Sequence, residues 1–384
     1  MLNLVLAAVV LTPAPELDEL VRQVDGKRMK ATVAKLASWP NRNTNNPTLT
    51  EAAEWLAGQF RAIPGLRVEI MRYPIPVSAR VPVAREVVQV VATLPGRTDR
   101  RVLVGGHFDS INMADVTKLE APAPGANDDA TEVALTLEAA RVLAQKTCEQ
   151  TIVFTAFSGE EQDLLGSSAL ARRAKAEGWK LEAVLNNDII GGVRNKRGER
   201  DDRNVRVFSD EATTHQSRSL ARFIEWTQRA ANPKFGVRLV LRSDRLGRGG
   251  DHSSFNREGF NAVRFTEVHE EYSRQHTAND LPEFVDERYL ANVARVNVRA
   301  LANLASALPS PTNVRTDRRS GYDTKLSWTG NASGTYVVYW RETTSATWQH
   351  SRRVTGTSAT IAEAHKDDHF FAVGSEGGLP VDAR

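Results

Sequence analysis

The chain has 384 residues, 41% hydrophobic and 25% charged, with 50 Lys and Arg against 47 Asp and Glu for a net charge of +3. This composition excludes disordered, collagen-like and multi-span membrane classes, and the length favours one large domain plus a smaller companion. An isoelectric point near 9.0 does not mark a nucleic-acid binder, because basic stretches such as Arg194 to Arg203 are interrupted by acids and build no one-sign patch.

The chain opens on an apolar run, Leu2 to Leu11, with Glu16 the first charged residue. The run is too short for a membrane span and reads as the core of a signal peptide over residues 1–15, which implies a secreted or periplasmic protein. The other reading is an N-terminal helix packed on the core. The lone Cys148 cannot form an internal disulfide and no CxxC is present, so any metal has to be held by His and carboxylates.

Lys27 to Trp39 and Thr50 to Ile63 read as two helices outside a sheet. Apolar runs follow at Val87 to Leu94, Val102 to Gly105, Thr151 to Phe157, Ala183 to Leu185, Val205 to Phe208 and Ala262 to Phe265. Their lack of polar alternation predicts strands buried on both faces, and the helical patterns between them predict a mostly parallel α/β sheet. Val133, Leu137, Ala140 and Ala144 fall on one face of one such helix, and Leu290, Val293, Ala294, Leu301 and Leu304 on one face of another.

At Leu308 the sequence Pro309, Ser310, Pro311, Thr312 ends the last helix. Beyond it, Lys325 to Trp328 and Tyr336 to Trp340 have period two, with turn signals at Gly330-Asn331 and Gly377-Gly378, which predicts a small C-terminal all-β sandwich. With Trp328 in the second strand, Tyr336 to Trp340 in the third and a late strand at Phe370 to Val373, the tail resembles a fibronectin type III domain. It is short for that fold, and no Tyr stands at the usual corner. A small β-domain of another topology is the alternative. The expected division is a possible signal peptide at 1–15, the α/β domain at 16–307 and the β-module at 308–384, the proline-rich linker keeping contacts between the two few.

Five motifs carry chemistry. His107-Phe108-Asp109 follows the strand at Val102, where open α/β sheets place their sites. Gly125-Ala126-Asn127-Asp128-Asp129-Ala130 precedes a helix, Glu160-Glu161 follows the strand Thr151 to Phe157 at an expected helix start, Asn186-Asn187-Asp188 ends the next strand, and His276-Thr277 stands in a loop before the last helix. Singly, each could cap a helix or pack in a core. Converging on one cleft, they offer two His and several carboxylates, a set suited to two Zn²⁺ sharing a bridging carboxylate.

In that order the motifs resemble the zinc exopeptidases of peptidase family M28, aminopeptidases on a phosphorylase/hydrolase-like α/β sheet, over residues 27–305. The resemblance implies one metal on His107 and Asp188, a second on Glu161 and His276, Asp128 bridging both through a cis peptide bond to Asp129, Glu160 as general base and Asp109 as the partner of His107. Glu160 would take a proton from a metal-acidified water and pass it to the leaving amine. Adjacent glutamates at a helix start point roughly 100° apart, so one can bind metal while the other faces the water. Glu132 stands where the family usually has Gly, which puts the helix entry in doubt. The DxKG-like context of the related M20 carboxypeptidases is absent.

Tyr272 is a candidate oxyanion donor, and Asp251-His252 resembles the family's DHxxF segment bordering the substrate pocket. There is no HExxH and no GxSxG, and His215, His269, His350, His365 and His369 read as ordinary. The expected function is a dizinc aminopeptidase acting on peptides. The alternatives are a glutaminyl-cyclase-like acyl transferase, which uses one zinc, or a non-catalytic binding protein of this fold. No nucleic acid or membrane span is expected, and the C-terminal module is expected to contact surfaces or other macromolecules.

Overall fold

The computed structural model describes residues 15–114, 120–210, 212–244 and 249–384. The apolar run read as an export signal lies outside them. Eight strands form the central sheet: β1 (Arg67–Ile75), β2 (Arg85–Leu94), β3 (Arg100–His107), β4 (Thr151–Phe157), β5 (Lys180–Asn187), β6 (Asn204–Phe208), β7 (Gly236–Val240) and β8 (Ala262–Glu267). Their order is β1-β2-β4-β3-β5-β8-β6-β7. The central four, β4-β3-β5-β8, are parallel, so their carboxyl ends share one edge.

The absence of polar alternation has a direct cause. Val102, Val104, Ile152 and Phe154 point into one apolar layer and Leu103 and Val153 into the other, and all six are fully buried. Helices α1 (Pro15–Arg22), α2 (Gly26–Leu36), α3 (Thr48–Arg61), α4 (Thr131–Leu143), α6 (Ser217–Ala231) and α8 (Glu287–Ser306) supply the first layer, and α5 (Leu165–Ala176) and α7 (Asp251–Arg257) the second. The sheet is the mixed, mostly parallel one expected.

One helix differs from its sequence pattern. α4 is not one-faced but buried nearly all round, because α2 and α8 cover the side turned away from the sheet. Its buried Glu138 is matched there by Arg28, whose Nη2 and Nε donate at 2.6 and 2.9 Å, and by the Asp25 backbone N–H at 2.8 Å.

The tail forms two antiparallel sheets. β9 (Thr312–Thr316), β10 (Thr324–Thr329) and β13 (Ser358–Ile361) make the first, and β11 (Thr335–Glu342), β12 (His350–Thr355), β14 (His369–Ser375) and β15 (Val381–Asp382) the second. Leu326, Trp328 and Ile361 from one sheet and Tyr336, Val338, Trp340 and Phe371 from the other close a shared core.

The expectation of few contacts across the linker is corrected here. Val337, Tyr339 and Ala372, on the outer face of the second sheet, and Trp348 form a separate buried cluster with Trp226 of α6. Trp226 meets Tyr339 edge-on with ring centroids 5.9 Å apart. Ser219 Oγ donates to Asp382 at 2.9 Å, and Arg222 and Arg229 donate to the carbonyls of Ala346 and Trp348. The uninterrupted run Tyr336 to Trp340 is apolar on both faces because both are covered.

Candidate metal centre

All five motifs meet at the carboxyl edge of the parallel strands. His107 is the last residue of β3, Asp188 follows β5, and Glu160 and Glu161 follow β4. The glutamate pair stands in a turn and not at a helix start: α5 begins only at Leu165. Gly159, Asp163 and Leu164 there have φ of 72°, 76° and 62°, a left-handed path that continuous helix does not permit. Helix geometry therefore does not set the two side chains roughly 100° apart. What orients them is Asp109, whose carboxylate accepts the backbone N–H of Glu160 at 3.3 Å and of Glu161 at 3.2 Å.

His107 is fixed from two sides. Its backbone N–H donates to Asp129 Oδ2 at 2.9 Å, and its Nδ1 lies 3.1 Å from the Asp109 carbonyl oxygen. A proton on Nδ1 leaves the Nε2 lone pair facing the cleft. Asp109 thus steadies the imidazole through its carbonyl and through Oδ1, 3.4 Å from Nδ1, while the same carboxylate holds the glutamate amides.

Residues 126–130 form a wide turn closed by Ala130 N–H to Gly125 O at 3.1 Å, ahead of α4. Gly125 has φ +53°, and a Cβ there would lie 2.6 Å from Asp128 O. The Asp128-Asp129 peptide bond is cis. Asp129 turns toward His107, and Asp128 faces the cleft, with Oδ1 3.4 Å from His107 Nε2 and Oδ2 3.0 Å from His276 Nε2. The altered helix entry is accommodated on β3: Glu132 is buried, it accepts from Thr131 Oγ1 at 2.8 Å, and Gly106 leaves the room, since a Cβ there would lie 2.3 Å from Cβ of Glu132.

Two groups of ligand atoms result, each within 4.8 Å of one another: His107, Glu160 and Asp188, and Asp128, Glu161 and His276. Glu160 falls into the first group, 4.0 Å from His107 Nε2. Burial raises the Glu160 and Glu161 carboxyls above the ordinary range, against the pull of the histidines. Burial opposes the charged form of His276 too, yet Glu161 and Asp128 push it up to about 11. Glu161 Oε1 accepts no hydrogen bond although it lies 3.2 Å from His276 Nε2. Buried carboxylates in excess of cations, a bare acceptor and nitrogen and oxygen donors without sulfur fit a divalent metal such as zinc.

Three braces carry no motif. Arg42 is fully buried between α2 and α3: its Nε donates to Phe108 O at 2.6 Å, Nη1 to Leu36 O at 2.8 Å and Pro124 O at 2.5 Å, and Nη2 to Gly125 O at 2.9 Å. It ties the first motif to the second. Asp280 accepts the backbone N–H of Asn127 at 2.9 Å and of Asp128 at 2.8 Å. Arg264 on β8 donates to Asp188 Oδ1 at 2.8 Å and pairs with Asp244.

Asp251 and His252 open α7, buried and outside both ligand groups. Burial pushes the Asp251 carboxyl up to about 7 and His252 down to about 4. Tyr272 is 65% exposed, and its Oη donates to Glu270 Oε1 at 3.2 Å. It shares with Glu160, Glu161 and His276 the wall of a cavity of about 680 Å³.

A model of peptidase family M28 matches residues 89–301, more than half of the chain and the span that carries all five motifs. The chain belongs to peptidase family M28. A probable zinc metalloprotease of Pyricularia oryzae is 38% identical to this M28 protein over 415 aligned residues, covering 95% of this chain and 82% of that one. Among solved structures, Legionella pneumophila LapA aminopeptidase superposes with a TM-score of 0.62 at 20% identity, covering 77% of this chain and 74% of its own. Fimbriiglobus ruber glutaminyl cyclase gives 0.56 at 18%, covering 72% and 94%. At those identities the likeness shows the fold alone. The family and its curated relatives make this chain a zinc-dependent metallopeptidase.

Proposed function

We propose that this M28 peptidase is a dizinc aminopeptidase releasing N-terminal residues from peptides. The observation that supports it most is the carboxylate of Asp128, whose two oxygens face two different histidines, as a ligand shared by two ions must. His107 and Asp188 would complete one position, and Glu161 and His276 the other. Zinc held there supplies the charge that acidifies a water and polarises a scissile carbonyl.

The protein's own part is proton handling and orientation. Glu160 accepts the proton of the attacking water and returns it to the leaving amine, and burial, which raises its carboxyl, suits it to both steps. Asp109 orients it by holding its backbone N–H. Arg264 fixes Asp188, and Asp280 fixes the backbone of Asp128. Tyr272, on the cavity wall, is assigned to the oxyanion, and Asp251 and His252, buried beside the cavity-lining Ser253, to the border of the substrate pocket.

The likeness to a glutaminyl cyclase favours one second reading, acyl transfer by a single zinc. Hydrolysis of amino-acid anilides and of N-blocked peptides, measured with the zinc content of the same sample, separates the two. Free-amine substrates cleaved with two zinc per chain support the aminopeptidase, whereas cyclisation of N-terminal glutamine with one zinc overturns it.

The remaining assignments belong to the same proposal: an export signal at 1–15, a peptidase domain at 16–307 and a fibronectin type III-like module at 308–384. The three- and four-stranded antiparallel sheets with Trp328 in their shared core support the last.

A further inference from the structure

Most arginines around the metal centre are held by carboxylates or by several carbonyls. Arg42 donates to four carbonyls, Arg206 pairs with Glu270 at 2.6 Å, and Arg264 pairs with Asp188 and Asp244. Two on the wall of the 680 Å³ cavity are not. Arg80 is half-buried, and its Nη1 donates to the backbone carbonyl of Glu161 at 2.6 Å. Arg257, at the end of α7, donates through Nη2 to Ser254 Oγ at 3.1 Å and Ser168 Oγ at 3.4 Å. Among the described residues neither guanidinium has a carboxylate within ion-pair distance, and each keeps N–H groups open.

These tethers aim the groups without neutralising them. A backbone carbonyl and two hydroxyls fix one edge of each planar fork, and the remaining edge is the geometry that carboxylates take in bidentate fashion. The cavity's acids do not cancel them. Glu160 and Glu161 belong to the metal centre, which leaves Asp163 alone against two arginines on that wall. Leu164 and Met113 add apolar surface for a short stem but no further charge.

From this we infer that the cavity beside the metal centre binds a substrate carboxylate through Arg80 and Arg257. The inference rests on the peptidase reading and adds a substrate class to it. The carboxylate is either the side chain of an N-terminal Glu or Asp or the free C-terminus of a very short peptide. Recognition of this kind discriminates strongly, because an isosteric neutral group leaves the guanidinium N–H groups without their charged acceptor.

The test uses the full-length zinc-loaded protein and matched pairs: Glu-anilide against Gln-anilide for the side chain, and Leu-Gly against Leu-Gly-amide for the terminus. One pair should show a preference for the charged member of about tenfold or more in kcat/KM, carried by KM. Arg257→Gln should shrink that ratio to within about threefold. Arg80→Gln should do the same, its zinc content checking that the Glu161 turn is intact. Calorimetric binding of free L-glutamate against L-glutamine reads the same site without turnover. Both ratios near one, with neutral anilides still hydrolysed and glutamate bound no better than glutamine, overturn this inference and leave the peptidase reading standing. No zinc-dependent hydrolysis of any substrate overturns the peptidase reading, and the glutamate titration then still decides whether the cavity takes a carboxylate.

Discussion

Replacing Arg42 by Met keeps most of the side-chain volume and removes every donor. Of its four acceptors, Leu36 O and Gly125 O retain a backbone N–H, from Trp39 at 3.4 Å and Ala130 at 3.1 Å, whereas Phe108 O and Pro124 O have no other donor among the described residues. Two bared buried carbonyls cost about 1–3 kcal/mol each, and two further charge-assisted bonds of about 1.5–3 kcal/mol each are lost, so the predicted destabilisation is on the order of 5–12 kcal/mol. Against a typical total of about 5–15 kcal/mol, that places Arg42→Met near the edge of folding. Burial pushes the Arg42 pKa down to about 10, so the native group stays charged at neutral pH. Arg42→Lys keeps a charge but lacks the planar fork, and an intermediate loss is expected. Urea denaturation of the zinc-loaded protein, followed by Trp fluorescence, measures both. If Arg42→Met fell within about 1 kcal/mol of the parent, the brace between the first two motifs would not exist as described.

The glutamate pair should separate by role: Glu160→Gln keeps two zinc ions and turns over about 10²- to 10⁴-fold more slowly, while Glu161→Gln loses or loosens one zinc. The reverse pattern, with metal lost at 160 and kept at 161, would show the roles to be exchanged. Trp226→Ala empties the cluster with Tyr339 and Trp348 and should lower stability by about 3–5 kcal/mol. Thermal denaturation at the parent value would show that the tail does not depend on this contact. A chain ending at Leu308 exposes the same face of α6, so it should aggregate or melt early while still binding zinc when kept in solution. A monomer as stable as the full chain would restore the separable tail that the linker alone implied.

What was legible in the sequence follows from where the information lies. Strands buried on both faces are largely apolar, so β2, β3 and β4 stood out, and motifs placed just after the parallel strands β3, β4 and β5 share one edge. The flanking strands β1 and β7 are partly exposed edges, and the run Arg67 to Tyr73 alternates too weakly to announce itself. The Glu160 turn reads as a helix start because acids suit helix N-termini, and two of its three left-handed residues, Asp163 and Leu164, are not glycines. The braces were invisible for another reason: Arg42, Asp280 and Arg264 act on backbone or on distant ligands, and no local pattern encodes that. One signal was available. Asn41 to Asn45 are all buried, and this Asn-rich stretch satisfies its own backbone, Asn41 and Asn43 each accepting the N–H two residues on, which lets a polar loop carry Arg42 into the core. The period-two reading of Tyr336 to Trp340 missed that this run is apolar at every position, because its outer face is covered by α6.

In the proposed centre one carboxylate, that of Asp128, serves two metal positions. Zinc per chain, measured by elemental analysis on the parent protein and on Asp128→Ala after identical dialysis, tests it most directly. Two zinc ions in the parent and loss from both positions in Asp128→Ala, with the fold retained by circular dichroism, are the predicted result. A parent that binds a single zinc, or an Asp128→Ala protein that still holds two tightly, would contradict it.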